Sequence, residues 1–383
     1  MTAADVSAND VSANHVSASD DDLRDYLSRR GLTTCGNVRF TPLRGGVSSD
    51  IWLVEQQATH AAPFVVKRAR PRLDVPGEWF ADVSRNRFEQ EFLAYVGAFL
   101  PGTVPRVLHA NREHGLFAME YLAGHVTWKS LLMQNSVVED HAVRAGRLLA
   151  TIHRRSWNDP EARQRFQSLA NFQQLRIEPY LLTAGQRHPS LQPMFEAEAC
   201  RLAATSLCLV HGDFSPKNIM IAPATPGSMV LIDCEVAWFG DPAFDIAFLL
   251  NHLFLKALLF RDSPGPFLEL PARAWQAYLA ESEPSMHVGL DARVARLLLM
   301  LLLARIDGKS PVEYLRDEAD KQSVRVFVSR HLPAQTWFLT DLIEAWRDSL
   351  LCGGNMDRNR EMGKDKGCRE SKPGPIDTIS ATG

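Results

Sequence analysis

Residues 207–248 read LCLVHGDFSPKNIMI…MVLIDCEVAWFGDPAFDIAF, and this stretch restricts the fold more than any other. It carries two acidic clusters, each beside a short apolar, β-branched run. His211-Gly212-Asp213 is followed by Asn218, and fifteen residues further on a hydrophobic run ends in Asp233-x-Glu235. Gly240-Asp241-Pro242-x-x-Asp245 comes next. An Asp and an Asn in one loop, facing an Asp from another, can hold Mg²⁺ against a triphosphate and take the proton of an incoming hydroxyl. Mg²⁺ needs only one or two carboxylates beside phosphate oxygens. Phosphoryl transfer asks for positioning and charge neutralisation more than for covalent chemistry. Asp and Asn in loops also satisfy local backbone groups, so the elements around them decide the reading.

Upstream, the runs 38–43, 51–54 and 64–67 have strand character. The first two are joined through Arg44-Gly45-Gly46-Val47-Ser48-Ser49-Asp50, which predicts an antiparallel hairpin with a tight tip. Glycines let backbone N–H groups approach oxygens closely, so Gly45 and Gly46 read either as a phosphate cradle or simply as the turn. Residues 85–100 are helical, with Phe88, Phe92, Tyr95, Val96 and Phe99 recurring at helical spacing before Pro101-Gly102. Two more strands, 106–109 and 116–120, precede Tyr121-Leu122-Ala123-Gly124. Five strands with one inserted helix, then mostly helical sequence, predict an α+β chain of two lobes. The smaller, residues 23–122, is an antiparallel sheet; the larger, residues 123–351, is mainly helical. In the second lobe Val138, Ala142, Ala145, Leu149 and Ile152 form one apolar helix face. Asp241-Pro242 reads as a helix start, with Asp as N-cap and Pro at the first helical position.

The ends differ in kind. Residues 1–22 repeat VSAND, VSANH, VSASD, and residues 352–383 are rich in Gly, Lys, Asp, Arg and Pro. Neither can bury enough apolar surface to offset the entropy of ordering, so both are expected to be disordered. The net charge of −3, without interleaved basic and aromatic residues, argues against nucleic acid as a partner. The apolar runs 246–260 and 294–304 are interrupted by charge and fall short of the roughly 20 residues of a membrane span, so they predict buried helices and no membrane partner. Six cysteines without metal-ligand spacing, and no secretory signal, read as reduced thiols of a cytoplasmic protein.

The remaining candidates are weak singly. Lys67 ends a strand, where it can neutralise phosphates or be a solvated edge residue. Glu91 on the following helix can orient it, with Glu89 as the competing candidate. Taken together, a glycine turn, a strand Lys, a helix Glu, His-Gly-Asp-x-x-x-x-Asn and a strand ending in Asp stand in kinase order.

On the HGDFSPKN and IDCEVAWFGDPAFD stretches, the chain resembles the aminoglycoside phosphotransferase and choline kinase group, whose fold is protein-kinase-like; the likeness spans residues 37–314. The resemblance implies ATP and Mg²⁺ as cofactors and a small-molecule hydroxyl as acceptor. It implies Asp213 as the residue accepting the hydroxyl proton, Asn218 and Asp233 as metal ligands, and Glu235 as a second acidic residue near the metal. Lys67 matches the phosphate-binding Lys and Glu91 its ion-pair partner. Residues 120–122, with Glu120 and Leu122, match the lobe connection that binds adenine through its backbone. Asp245 matches the residue that braces the catalytic loop.

Departures from protein kinases are equally informative. The turn is GGVSSD, so Ser48 and Ser49 are left to supply phosphate contacts. His-Gly-Asp replaces His-Arg-Asp, and no long activation segment follows Asp233, which disfavours a protein substrate. Lys217 reads as a γ-phosphate contact or a solvated loop residue. Asp307-Gly308-Lys309-Ser310 is not a P-loop, because the required first glycine would fall at Leu303 and a helix precedes it. Arg305, Lys309 and Glu313 either line the acceptor side or merely end a helix. His153 and His252 read as packed histidines, and Cys234 as a small core residue. Trp238, Trp275 and Trp337 could form a box for a quaternary ammonium, although tryptophans at such spacing suit a core. The rival readings are a nucleotide-binding pseudo-enzyme and a protein kinase.

Overall fold

The computed structural model describes residues 20–33, 38–43, 48–56, 61–74, 79–111, 115–225, 227–334 and 338–364. Strands β1 (Val38–Pro42), β2 (Ser49–Gln56), β3 (Phe64–Ala69), β4 (Val107–Asn111) and β5 (Leu116–Glu120) form one antiparallel sheet in the order β1-β2-β3-β5-β4. Side chains alternate between the faces of a strand, and β3 uses both faces. Phe64 and Val66 join Trp52, Val54, Leu116 and Ala118 on the outer face, packed under Leu23 and Leu27 of helix α1 (Asp20–Arg29). Fully burying a leucine stabilises by roughly 1.5–3 kcal/mol, so Leu23 and Leu27 both contribute to docking α1 on the sheet. By the same alternation Lys67 turns to the inner face, toward helix α2 (Arg85–Phe99), whose Phe92, Leu93 and Val96 are buried.

After β5 the chain passes into β6 (Val126–Thr127), α3 (Trp128–Met133) and α4 (Glu139–Arg155). Ala142, Ala145, Leu149 and Ile152 are the buried face of α4, as their spacing predicts. A π-helix, Gln173–Leu182, with Pro179 inside it, leads toward the acidic stretch. That stretch is carried on two small antiparallel ladders, β7 (Cys208–Val210) with β10 (Trp238–Gly240), and β8 (Ile219–Ile221) with β9 (Met229–Leu231), β6 adding to the second. Two nearly all-buried helices, Ala243–Leu259 and Leu290–Asp307, form the centre of the helical lobe. Among the described residues, no helix is long and apolar enough to cross a membrane. The Asp241 carboxylate accepts the Ala243 N–H at 3.0 Å, capping the first of these helices.

The molecule is thus a two-lobed α+β fold, an antiparallel sheet followed by a mainly helical lobe, as expected. Two expectations meet a different chain at the ends. Residues 1–19 and 365–383 lie outside the described residues, but α1 begins at Asp20, inside the repeat-bearing end. The last helix, Leu339–Lys364, continues past residue 352, where Met356, Arg358, Arg360, Glu361 and Met362 are good helix formers.

Candidate active site

The 211–218 loop is built on a brace. Asp245, fully buried at the start of its helix, accepts the N–H of His211 at 2.7 Å and of Gly212 at 2.8 Å, one with each carboxylate oxygen. His153 adds its Nε2 at 3.4 Å and holds Tyr278 through Nδ1 at 3.0 Å, the packed role its surroundings suggested. Gly212 has φ +78°, and a Cβ there would lie 2.6 Å from the Val236 carbonyl oxygen, so only glycine fits.

This brace delivers Asp213, 4% exposed, to a point where three donors meet. Its Oδ2 lies 2.9 Å from Lys217 Nζ and 3.2 Å from Arg176 Nη2, and accepts from Asn218 Nδ2 at 2.8 Å. Burial alone would raise the Asp213 pKa, but the Lys217 and Arg176 charges outweigh it and hold the carboxyl below its usual range. Lys217 therefore pairs with Asp213 while its side chain stays 48% exposed to solvent.

Across the cleft, Lys67 Nζ stands between Glu89 Oε2 at 2.7 Å and Asp233 Oδ1 at 2.6 Å. The partner is Glu89 and not Glu91, which corrects the expected pairing. Two residues along a helix are about 200° apart, so only one of them can face the sheet. Glu89 is 1% exposed, whereas Glu91 lies 4.0 Å from Arg165 on the other side of α2. Asp233 has φ +60°, a strained setting for a residue other than glycine and one that clusters at functional sites. Burial, with Lys67 opposing, pushes Glu89 up to about 7.

Carboxylate oxygens of Glu89, Asp233 and Glu235 all lie within 4.8 Å of one another. This all-oxygen set suits a hard cation such as Mg²⁺. Asn218 spends its Nδ2 on Asp213 and keeps its carbonyl oxygen as a possible ligand. Glu235 is partly committed, because its Oε2 accepts from Arg85 Nε at 3.1 Å. The residues present therefore fit a divalent cation at Asp233, with Asn218 and Glu235 beside it.

The nucleotide side is less completely drawn. Gly45 and Gly46 lie outside the described residues. Ser48 and Ser49 are buried; the Ser48 carbonyl accepts from Arg85 and Arg70, and the Ser49 hydroxyl is buried without a partner. The Glu120 N–H is taken by the Arg106 carbonyl at 2.9 Å, and the Leu122 carbonyl accepts from His125 at 3.3 Å.

Two arginines escaped the sequence reading. Arg85, fully buried, donates to Glu235 and to the carbonyls of Ser48, Arg70, Ala81 and Asp82. Arg176 donates from Nε to the Gly212 carbonyl as well as facing Asp213. Neither has a local signature, because each reaches the site from a helix remote in sequence. Trp238 and Trp275 are core, stacked on Phe172 and Tyr278, and Trp337 lies outside the described residues, so the box of three tryptophans is not built as considered. Cys234 is buried, as a small core residue should be.

Several known proteins are similar to parts of this chain. A methylthioribose kinase of Erwinia tasmaniensis is 27% identical over 218 residues, covering 50% of this chain and 54% of that protein. One from Escherichia coli O45:K1 is 28% identical over 272 residues, covering 61% and 63%. The chain spans about half the length of the first of these relatives. The solved amicoumacin kinase hAmiN, in complex with AMP-PNP, Ca²⁺ and Ami, is 15% identical; the match covers 84% of this chain and 97% of that one, with a TM-score of 0.48. Residues 39–288 match the model of the phosphotransferase enzyme family. That match takes in the sheet, the braced loop and the acidic stretch together, and the chain belongs to the phosphotransferase enzyme family.

Proposed function

We propose that this protein transfers the γ-phosphoryl group of ATP, with Mg²⁺, to a hydroxyl of a small molecule. The observation that carries the reading is Asp213, ionised and fixed by Arg176, Lys217 and Asn218, in the same cleft as the Lys67–Asp233 pair. Residues 23–122 supply the nucleotide side, with Gly45, Gly46, Ser48 and Ser49 toward the phosphates and the backbone at Glu120 and Leu122 toward the base. Residues 123–351 supply the catalytic loop and the acceptor side.

In this reading Lys67, held by Glu89, neutralises phosphate oxygens. Asp233 and Asn218 hold the metal, with Glu235 alongside. When bound, Mg²⁺ supplies charge neutralisation on the phosphates. Asp213 accepts a hydrogen bond from the acceptor hydroxyl and orients its oxygen in line with the γ-phosphorus. The acceptor oxygen forms the new P–O bond, and the bond from the γ-phosphorus to the β,γ-bridging oxygen breaks with its electron pair leaving on ADP. The hydroxyl proton passes to Asp213 late, because a carboxylate held at low pKa is a weak base and a loose transition state needs little deprotonation. Lys217, released from Asp213 as the proton arrives, is placed to meet the transferred phosphoryl group. The named relatives phosphorylate methylthioribose, so a small polyhydroxylated acceptor in the cytoplasm is the natural class to test here.

The experiment is coupled ADP release with Mg-ATP over sugars, methylthioribose, amino alcohols, hydroxy acids and sugar phosphates. Asp213→Asn should lose at least 10³-fold in turnover while still binding nucleotide. Near-normal turnover in that variant removes Asp213 from its role.

A further inference from the structure

The side of the helical lobe that adjoins Asp213 carries more positive charge than its carboxylates balance. Tyr180 of the π-helix connects the two: its ring lies 5.6 Å from both the Arg176 and the Arg305 guanidinium. Its hydroxyl accepts from Arg305 Nη1 at 3.1 Å. Arg305 also holds the Ser310 carbonyl and hydroxyl, while its Nε is buried without a hydrogen-bond partner. From helix Ala243–Leu259, Lys256 is 2% exposed and sets its Nζ 3.2 Å from the centre of the Tyr314 ring. It forms no ion pair among the described residues. Lys129 enters from α3 and pairs with Glu313.

One turn before Lys256, His252 is 7% exposed and its Nε2 is buried without a partner. The positive charges of Arg305, Lys256, Lys217 and Lys129 all bear on that ring and, added to its burial, keep it neutral. Around Lys256 itself the acting charges are Lys129 and Arg305 against one carboxylate, Glu313. An ammonium buried without a carboxylate of its own is costly, and the ring beneath it offsets only part of that cost. Burial and the two like charges bring Lys256 down to about 7, against the pull of Glu313. Unspent donors on Arg305 and Lys256, beside a protonatable but neutral His252, lack only a negative oxygen ligand.

We infer that Lys129, Lys256 and Arg305 seat an anionic group of the acceptor, so that the hydroxyl phosphorylated here belongs to a small organic acid or phosphate ester. The inference rests on the phosphotransferase reading above and narrows its acceptor. Carboxylate and phosphate share the required chemistry, and the Arg305 fork suits either. A polycationic acceptor is disfavoured, because it would bring like charge to this cluster.

The test compares acceptors of matched skeleton in the Mg-ATP assay: neutral sugar, sugar acid, sugar phosphate and amino sugar. Nucleotide binding is followed in parallel by calorimetry. The expected result is a preference of at least about 100-fold in kcat/KM for an anionic member, the sugar acid and sugar phosphate arms telling the two anions apart. Lys256→Met should raise the KM for that acceptor about 10- to 100-fold and leave ATP affinity unchanged. Lys129→Met, at a side chain 34% exposed, should act in the same direction. Equal or better turnover of neutral or amino sugars overturns the inference and leaves the phosphotransferase standing. So does a rise in ATP KM in place of acceptor KM in the variants. Nucleotide binding with no turnover of any anion also overturns it. No nucleotide binding at all overturns both readings.

Discussion

The Arg176 guanidinium stands 3.2 Å from Asp213 Oδ2 while its Nε holds the carbonyl of the neighbouring Gly212 at 2.5 Å. One side chain thus fixes both the carboxylate and the backbone that presents it. Arg176→Met should lower kcat about 10- to 100-fold with little change in the KM for ATP, the loss expected for a buried charge-assisted contact. Arg176→Lys, which keeps the charge but loses the fork, should recover only part of it. Steady-state kinetics on the two variants checks this, and equal rates in both would remove the geometric role.

Glu89 and Glu91 make a paired test of the Lys67 contact. Glu89→Gln weakens a buried bond to the ammonium and should lower kcat/KM for ATP about 10- to 100-fold. Glu91→Gln weakens an ion pair with Arg165 whose side chain is 38% exposed, and should stay within about twofold. The reverse ranking would put α2 in a different rotation from the one seen here.

Gly212 allows a stability measurement without any ligand. Alanine there combines positive φ with a Cβ 2.6 Å from a carbonyl oxygen. Denaturant unfolding of Gly212→Ala should show a loss of roughly 1–3 kcal/mol from the backbone alone, with the clash adding to it. A neutral outcome would mean that the loop relaxes away from Val236.

Lys256 gives a pH dependence with a defined sign. Its ordinary value is 10.5, and in the folded protein it is brought down to about 7. Between pH 7 and 10.5 the unfolded chain binds a proton that the folded chain releases, so this group makes stability rise with pH across that window. Below pH 7 both states are protonated and the burial penalty is constant. Lys256→Met should therefore be the more stable protein at pH 6.5, by on the order of 1–3 kcal/mol. That advantage should shrink toward pH 10. Thermal or chemical unfolding of both proteins across this range decides it, and parallel curves would mean that Lys256 keeps its ordinary value.

What the sequence makes legible follows from how local each signal is. Asp213, Asn218, Asp233 and Asp245 lie in one continuous stretch whose spacing is set by a short loop and two short ladders, so their relation can be read directly. Lys67 could be placed on a strand, and strand alternation then fixes its face. Which glutamate meets it depends on the rotation of α2, and Phe88, Phe92, Tyr95, Val96 and Phe99 form a stripe about 100° wide that Glu89 and Glu91 flank on opposite sides, so the stripe does not choose between them. Arg85 and Arg176 were out of reach, because an arginine on a helix looks alike whether it faces water or a buried carboxylate 150 residues away, as Arg85 faces Glu235. Helix α1 was hidden by the polar repeat beside it, since Leu23 and Leu27 alone make too short an apolar pattern.

Arg85 also bears on how the two lobes move. It grips Ser48 and Arg70 of the sheet lobe with one end of its guanidinium and Glu235 of the helical lobe with the other, and is itself fully buried. Parting the lobes would leave a buried charge stranded, at a cost of several kcal/mol. The cleft is therefore spanned by a rivet near its floor, and the two halves of the molecule work as a single stiff jaw whose opening is confined to its outer rim.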